Sequence, residues 1–204
     1  IFVIWLYPAT TLVAMAPLGL MSPGMAWLTI VLASSVGYVL AMRPYLAGLP
    51  GPLKILPFAA PTIFIALFTG HFTLVLGALI LAAVAALGRG RAVLAGVLIG
   101  LVSVKPQLGL LLPVALAAAG AWRAFAAAAA TVIAMVLLAT FVTGIDYWPA
   151  FLETIERRQT FYIGLEEGVS RMVGLYPGLR ALGLGHWPAQ VLHWSLTAAI
   201  ALAV

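Results

Sequence analysis

A lysine, a proline and a glutamine interrupt a long apolar run near the centre of the sequence. Lys105, Pro106 and Gln107 lie midway between Arg91 and Arg123, in a stretch that is otherwise almost wholly apolar. An ammonium near the centre of a bilayer costs roughly 2.5–3.5 kcal/mol on insertion scales, so membrane proteins keep one where it has a partner or a watery cavity. Lys105 is therefore the first candidate for a functional residue.

The chemistry open to this tripeptide is the binding of an anion. Lys105 has no acidic residue in its own apolar segment, so an anionic ligand, a phosphate above all, is the natural counter-charge for its ammonium. Pairing with helix carbonyls or with an acid from another segment is the structural alternative. Pro106 breaks the helix and releases backbone groups, and the amide of Gln107 can both donate and accept hydrogen bonds.

A second polar interruption is the dipeptide Gly70-His71. The pattern places it at a helix start, where unpaired backbone N–H groups favour an anion or a hydroxyl ligand. A lone histidine is more often a hydrogen-bonded structural residue than a ligand, which is the competing interpretation. His186 and His193 have no third ligand at matching spacing, so the sequence predicts no metal site.

The remaining charged candidates lie in residues 144–187, the one long polar connection. An arginine there could bind a phosphate bidentately, and a carboxylate could serve as a general base. No spacing singles out one acid, although all five acidic residues of the chain lie in this connection. The arginines are Arg157, Arg158, Arg171 and Arg180, and the acids are Asp146, Glu153, Glu156, Glu166 and Glu167.

The composition identifies the class of protein that positions these residues. The chain is 65% hydrophobic and 7% charged, against roughly 45–50% and 25% in soluble domains, so we predict an all-α, polytopic transmembrane helix bundle. The formal net charge of +5 is dispersed between hydrophobic segments and forms no basic patch with interleaved aromatics, which argues against a nucleic-acid partner. The membrane lipid itself is the first expected partner.

Apolar segments of about 20 residues predict about five full spans. Short or broken helices are expected between them: 55–69 contains Pro57 and Pro61, and a Gly- and Pro-rich connector at 45–54 is typical of a loop. We therefore expect membrane helices over 1–143, an extracytoplasmic loop over 144–187 and the start of a further span at 188–204. The spans are 1–20, 25–42, 71–88 and 124–143, together with the one that begins at 188–204.

The stretch around Lys105 is predicted to fold as a bent pair of half-helices. Residues 92–104 and 108–120 each reach only about 20 Å at 1.5 Å per residue, so neither half crosses alone. A turn at Lys105 places both ends on one side, which agrees with the positive-inside tendency. The turn and Gly70-His71 then border one outward-facing cavity. The residues on the cytoplasmic side are Arg43, Lys54, Arg89, Arg91 and Arg123.

The outer connection contains its own predicted helices. Apolar residues from Trp148 to Ile155 recur at helical spacing while the charged residues point elsewhere, which indicates a helix lying in the membrane interface. Ser170 is a candidate cap for a second short helix that ends at Gly183. The chain opens without Met and both of its ends lie in apolar sequence, so we expect a fragment of a longer polytopic protein.

Three stretches of this chain resemble glycosyltransferase family 87. They read FTGHFTLVLGALILAAVAALGRGR, AGVLIGLVSVKPQLGLLLPVALAAAGAWRAF and FVTGIDYWPAFLETI, and the later RMVGLYPGLRALGLG is similar to the family's stretch before a late span. The Lys-Pro-Gln turn followed by a Trp-Arg pair is the most specific part. The resemblance implies a GT-C-fold mannosyltransferase of the plasma membrane that uses a polyprenyl-phosphate sugar and no separate cofactor.

The resemblance also implies roles for residues. The donor phosphate and sugar would be bound by Gly70, His71, Lys105, Gln107, Arg171 and Arg180, on the extracytoplasmic side, with a glycolipid or glycan as acceptor. The family commonly has Gly-Gln where this chain has Gly70-His71. Its catalytic aspartate lies in the first outer loop, upstream of Ile1 in this numbering, so we expect the fragment alone to be inactive.

Two other classes of protein compete with this interpretation. Broken helices and a charge at the membrane midplane are also typical of a transporter or flippase, although a second copy of the Lys-Pro-Gln hairpin is not found in the sequence. A membrane scaffold without a site is the third possibility. A repeat of 55–123 elsewhere in the full protein would favour transport.

Overall fold

The computed structural model describes residues 7–163 and 174–203, and the side chains of 158–163 lie outside that description. Every regular element in these ranges is a helix, which confirms the predicted all-α bundle. The chain divides into two compact units, one comprising Tyr7–Val142 and the other containing the chain from Thr143 onward. Each unit is described by itself.

The first unit begins with a short helix and a long one. Helix α1 spans Ala9–Met15 and continues as a 3-10 helix over Ala16–Leu20. Helix α2 then spans Pro23–Leu46. At its start the Ser22 hydroxyl accepts a hydrogen bond from the Met25 N–H at 3.4 Å, as an N-cap serine does.

Two predicted boundaries in this region are wrong. The prediction ends helix α2 at Arg43-Pro44, but the helix continues to Leu46 with Pro44 inside it, because a proline removes only one hydrogen bond of the helix ladder. The connector predicted as a loop over 45–54 is partly helical, since a 3-10 helix spans Gly51–Phe58. Helix α3 follows over Pro61–Thr69 at an angle of 47°, so the predicted broken helix over 55–69 is confirmed.

The next helices surround Lys105. Helix α4 spans Thr73–Gly88, α5 spans Ala92–Leu101, and a 3-10 turn over Val102–Val104 extends α5 to the length expected from the sequence. Beyond Lys105 the second half is less regular than expected. It is divided into α6, Pro106–Gly109, and α7, Leu112–Ala118, because Pro106 and Pro113 each lack the N–H that a continuous helix requires.

Small residues allow α4, α5 and the long helix that follows the Lys105 stretch to approach closely, as is usual between helices in lipid. Helix α8 spans Trp122–Thr143. Ala83, Ala86 and Ala95 form one buried cluster between α4 and α5. A Cβ built on Gly100 would lie 2.5 Å from the Cβ of Thr131 in α8. The close packing of these helices therefore requires glycine and alanine at the crossings.

The packing shows that the Lys105 stretch is a hairpin. Leu116 of α7 belongs to a buried cluster with Ala124 and Ala128, and Ala92 and Ala121 pack against that cluster. The beginning of α5 and the end of the following half therefore lie together. At the opposite end, Leu76 of α4 packs with Val102 and Val104, so α4 and α5 are antiparallel. These contacts confirm the bent pair. They also place four arginines at the end of the unit that lies away from Lys105: Arg43, Arg89, Arg91 and Arg123.

Fewer helices than the expected five have the length of a full span. Of the described helices, α2 and α8 are long and apolar enough to cross a membrane. The 3-10 helix Gly51–Phe58 and helix α3, if taken together as one broken span, make a third. Other apolar sequence forms shorter helices, such as α4 with its 16 residues. Glycines and prolines between the apolar runs divide them into these shorter elements.

The second unit contains three described helices. Helix α9 spans Tyr147–Ile163, α10 spans Leu175–Ala181 and α11 spans His186–Ala203. The predicted amphipathic helix after Trp148 is confirmed as a helix, and Gly183, with φ +89°, follows α10 as expected. Glu153 and Arg157 form an exposed ion pair of 2.6 Å along α9. Ser170, the candidate cap, lies outside the described residues.

Candidate functional site

Lys105 lies at the break between two helices, where the backbone leaves helical geometry. Its φ and ψ are −134° and 77°. Its N–H donates to the carbonyl of Val102 at 2.9 Å, and the N–H of Leu108 donates to the carbonyl of Lys105 at 3.0 Å. In a continuous helix Leu108 would instead have bonded to Val104. The carbonyl of Val104 is therefore released, as the proline at position 106 predicts.

A threonine of helix α1 donates a hydrogen bond to the carbonyl of Val104, which the break leaves without its helical partner. The buried hydroxyl of Thr11 donates to the carbonyl oxygen of Val104 at 2.5 Å. Because an unpaired buried carbonyl costs about 1–3 kcal/mol, this bond stabilises the broken conformation. Helix α1 thus holds the residue that precedes Lys105, although the two are far apart in sequence.

Phe72 brings the two predicted polar interruptions together. The Nζ of Lys105 lies 5.9 Å from the centre of the Phe72 ring, within the range of a cation–π interaction. The imidazole of His71 stacks on the same ring at 5.2 Å with an interplanar angle of 4°, and Tyr7 meets it edge-on at 5.4 Å. Lys105 and His71 therefore share one aromatic neighbour, and the outward-facing cavity predicted between them stays a prediction.

The turn before Phe72 is built around Gly70. Gly70 has φ +65°, a conformation that L side chains rarely adopt. The indole of Trp27 fills the space beside it: a Cβ on Gly70 would lie 2.6 Å from Cδ1 of Trp27. The same indole donates its N–H to the carbonyl of Phe68 at 3.3 Å. Glycine is therefore required here both by the backbone angle and by the lack of room.

The predicted role of the His71 backbone is wrong. The sequence predicts its N–H to be an unpaired donor at a helix start, but it donates to the carbonyl of Ala66 at 3.0 Å and so closes α3. Helix α4 begins only at Thr73. The contribution of His71 must come from its side chain, whose Nδ1 is hydrogen-bonded to the Thr73 hydroxyl.

The charge at this site has no carboxylate near it in sequence. Lys105 is partly buried, and no aspartate or glutamate occurs before Asp146 anywhere in the chain. The unit Tyr7–Val142 therefore contains cations and no acidic side chain. Since a partly buried ammonium needs a counter-charge or water, the charge of Lys105 is balanced by water or by a group from outside this unit.

An apolar cavity of about 400 Å³ begins next to the Lys105 break. It is lined by α5 to α8, from Pro106 at the break to Phe125 near the start of α8, with Ser103 the polar residue in its wall. Such a cavity fits a hydrocarbon chain, because its walls offer almost no hydrogen-bonding groups. An anionic group at Lys105 and an apolar tail along the cavity would be adjacent.

The other predicted site residues are distributed as follows. Gln107 is exposed on α6, directly beyond the break. Arg180 lies in the second unit, where its Nη1 donates to the carbonyl of Leu184 at 2.9 Å and so stabilises the end of α10. Arg171 lies outside the described residues, and so do Glu166 and Glu167.

His186 pairs with the hydroxyl of Tyr176 at 2.8 Å, which supports a structural role for that histidine.

Sequence reasoning missed the residues that support the site. Phe72, Thr11 and Trp27 contact the two interruptions, yet each looked like an ordinary member of an apolar segment. One signal was available: Thr10 and Thr11 are adjacent polar residues in the first apolar run, and both are buried. The Thr11 hydroxyl satisfies a backbone group freed by a helix break, as Thr side chains do in membrane helices.

Comparison with known proteins then identifies the family. The model of glycosyltransferase family 87 matches residues 5–204, nearly the whole chain. No curated protein and no solved structure matches the sequence. The match covers the Lys105 break, the Gly70-His71 turn and both compact units. This membrane helix bundle therefore belongs to glycosyltransferase family 87.

Proposed function

We propose that the protein transfers mannose from a polyprenyl-phosphate donor to a hydroxyl group of a glycolipid or glycan on the extracytoplasmic face of the plasma membrane. Family membership supports sugar transfer in a membrane. The observation that carries the choice of donor is the Lys105 break: one partly buried ammonium, without an acidic residue in its unit, beside an apolar cavity of about 400 Å³.

The two parts of the donor match the two parts of the site. The phosphate is the anion that Lys105 binds as a point charge, and the polyprenyl chain occupies the apolar cavity that begins at Pro106. Gln107, exposed at the break, and the His71 side chain offer hydrogen-bonding groups for the sugar or the phosphate. The phosphate-binding roles of Arg171 and Arg180 stay predictions from the sequence, and so does the expectation that no further cofactor takes part.

The chemistry follows from this arrangement. The acceptor hydroxyl oxygen forms a bond to C1 of the mannose while the bond from C1 to the phosphate oxygen breaks. The electron pair leaves with the phosphate, and Lys105 stabilises the charge that develops there. The proton of the hydroxyl passes to a carboxylate, which the unit Tyr7–Val142 does not supply.

The outward orientation rests on the distribution of charge. Arg89, Arg91 and Arg123 lie at the end of the bundle opposite to Lys105, and the positive-inside tendency assigns such an end to the cytoplasm. The Lys105 break then opens toward the extracytoplasmic side. A lipid-linked donor in the outer leaflet presents its phosphate there.

The test is transfer by the full-length protein in sealed right-side-out vesicles. Radiolabelled polyprenyl-phosphate mannose in the outer leaflet should label endogenous glycolipid or glycan and release polyprenyl phosphate in equal amount. GDP-mannose supplied outside the vesicles should label nothing. Movement of intact donor between leaflets without release of polyprenyl phosphate would contradict the proposal and indicate a flippase.

A further inference from the structure

The arginine end of the bundle contains a second, smaller cavity, remote from Lys105. It has a volume of about 170 Å³ and lies between α2, α4 and α5. Its walls are apolar, with Leu40 from α2, Ala82 from α4 and Leu98 from α5. Arg89 and Arg91, from the turn between α4 and α5, complete the lining. The cavity therefore combines an apolar interior with two cations.

Backbone geometry holds both arginines beside the cavity. Gly90, between them, adopts φ +71°, and the N–H of Arg91 donates to the carbonyl of Ala86 at 2.9 Å, which closes α4 sharply. The guanidinium Nη1 of Arg89 donates to the carbonyl of Ala85 at 3.2 Å and so lies along the wall. Arg91 is exposed, and the unit Tyr7–Val142 contains no acidic side chain to pair with either arginine.

We propose that this cavity binds an anionic phospholipid, with the phosphate at Arg89 and Arg91 and an acyl chain between α2, α4 and α5. The argument is charge complementarity combined with an apolar interior in a protein that lipid surrounds. Basic pockets between transmembrane helices bind anionic lipid head groups in this way. A guanidinium also matches phosphate geometry through its fork of N–H donors. This proposal does not depend on the donor assigned to Lys105.

The experiment measures lipid binding to the full-length protein in detergent by native mass spectrometry. Phosphatidylglycerol is the probe, and phosphatidylcholine with the same acyl chains is its neutral counterpart. The wild-type protein should bind phosphatidylglycerol at least tenfold more tightly. The double variant Arg89→Gln, Arg91→Gln should bind it roughly 30-fold more weakly than the wild type, because each arginine near a membrane surface strengthens the attraction to anionic lipid roughly fivefold.

Two control variants test whether the binding belongs to this cavity. Arg123→Gln removes an exposed arginine at the same end that does not line the cavity, and it should bind phosphatidylglycerol like the wild type. Lys105→Ala removes any phosphatidylglycerol bound at the opposite end, and the loss caused by Arg89→Gln, Arg91→Gln should be the same in this background. Equal binding of the two lipids, an equal loss in Arg123→Gln, or full displacement of phosphatidylglycerol by millimolar inorganic phosphate would overturn the proposal, the last by showing a free-anion site.

Discussion

The two ends of the α4–α5 pair both carry cations, but in different surroundings. At one end Lys105 is partly buried, lies over Phe72 and occupies a break within apolar sequence. At the other end Arg89 and Arg91 are exposed on a short turn between helices. The arginine end has more charge, yet the single lysine is where a charge is costly to keep. Our proposal therefore locates the catalytic site by the position of a cation in the apolar pattern and not by the number of cations.

The largest difference between the ends should appear in turnover. If Lys105 stabilises the departing phosphate as proposed, we expect Lys105→Ala to lower transfer about 100- to 1,000-fold, the range found when one transition-state donor is lost. Arg123→Ala, at the other end, should change the rate less than about twofold, since exposed charges contribute little. The measurement is kcat with polyprenyl-phosphate mannose at equal amounts of folded protein. Undiminished turnover in Lys105→Ala would remove that residue from the mechanism.

The two ends also differ in how tightly their turns are packed. Gly70 and Gly90 have similar positive φ values of 65° and 71°, but only Gly70 is crowded, by Trp27. Alanine costs about 1–2 kcal/mol in this backbone conformation at either position, and overpacking adds about 1–3 kcal/mol at Gly70 alone.

Thermal unfolding in detergent compares the two variants. Gly70→Ala should unfold at a clearly lower temperature than Gly90→Ala, and it should also lose transfer activity because the turn positions His71. Equal shifts in the two variants would show that Trp27 does not confine the turn.

The smallest effect concerns the His71 side chain, which stacks on Phe72 and is hydrogen-bonded to Thr73. The family commonly has glutamine here, and glutamine also donates and accepts hydrogen bonds. We expect His71→Gln to retain transfer within about twofold and His71→Ala to lose roughly 2- to 10-fold, the value of one neutral hydrogen bond. An equal loss in both variants would show that hydrogen bonding at this position does not matter.

The break itself could be predicted from the sequence because its cause is local. A proline after a lysine in an apolar run both ends the hydrogen-bond ladder and places a charge where it needs a ligand. The first half-helix, including its 3-10 end at Val104, matches the prediction. The hairpin could be inferred as well, since each half is too short to span a membrane.

The surroundings of the break could not be predicted because they depend on tertiary contacts. The Thr11 hydroxyl bonds the carbonyl of Val104, which lies 93 residues later in the chain. Phe72 lies beside Lys105 because α4 and α5 are antiparallel. The sequence assigns the His71 N–H to an anion because it gives no sign that α3 closes on that group. The sequence shows where a helix breaks and which backbone groups lose their helical hydrogen bonds. It does not show which residues from other helices bond those groups instead.

The central claim, that Lys105 binds the donor phosphate, is tested most directly by equilibrium binding. Polyprenyl phosphate and the corresponding neutral polyprenol are titrated into the full-length wild-type protein and the Lys105→Ala variant. We predict that the variant binds polyprenyl phosphate roughly 10- to 100-fold more weakly, the value of a hydrogen bond to a charged group, and binds polyprenol like the wild type. Equal affinity of the two proteins for polyprenyl phosphate would contradict the claim.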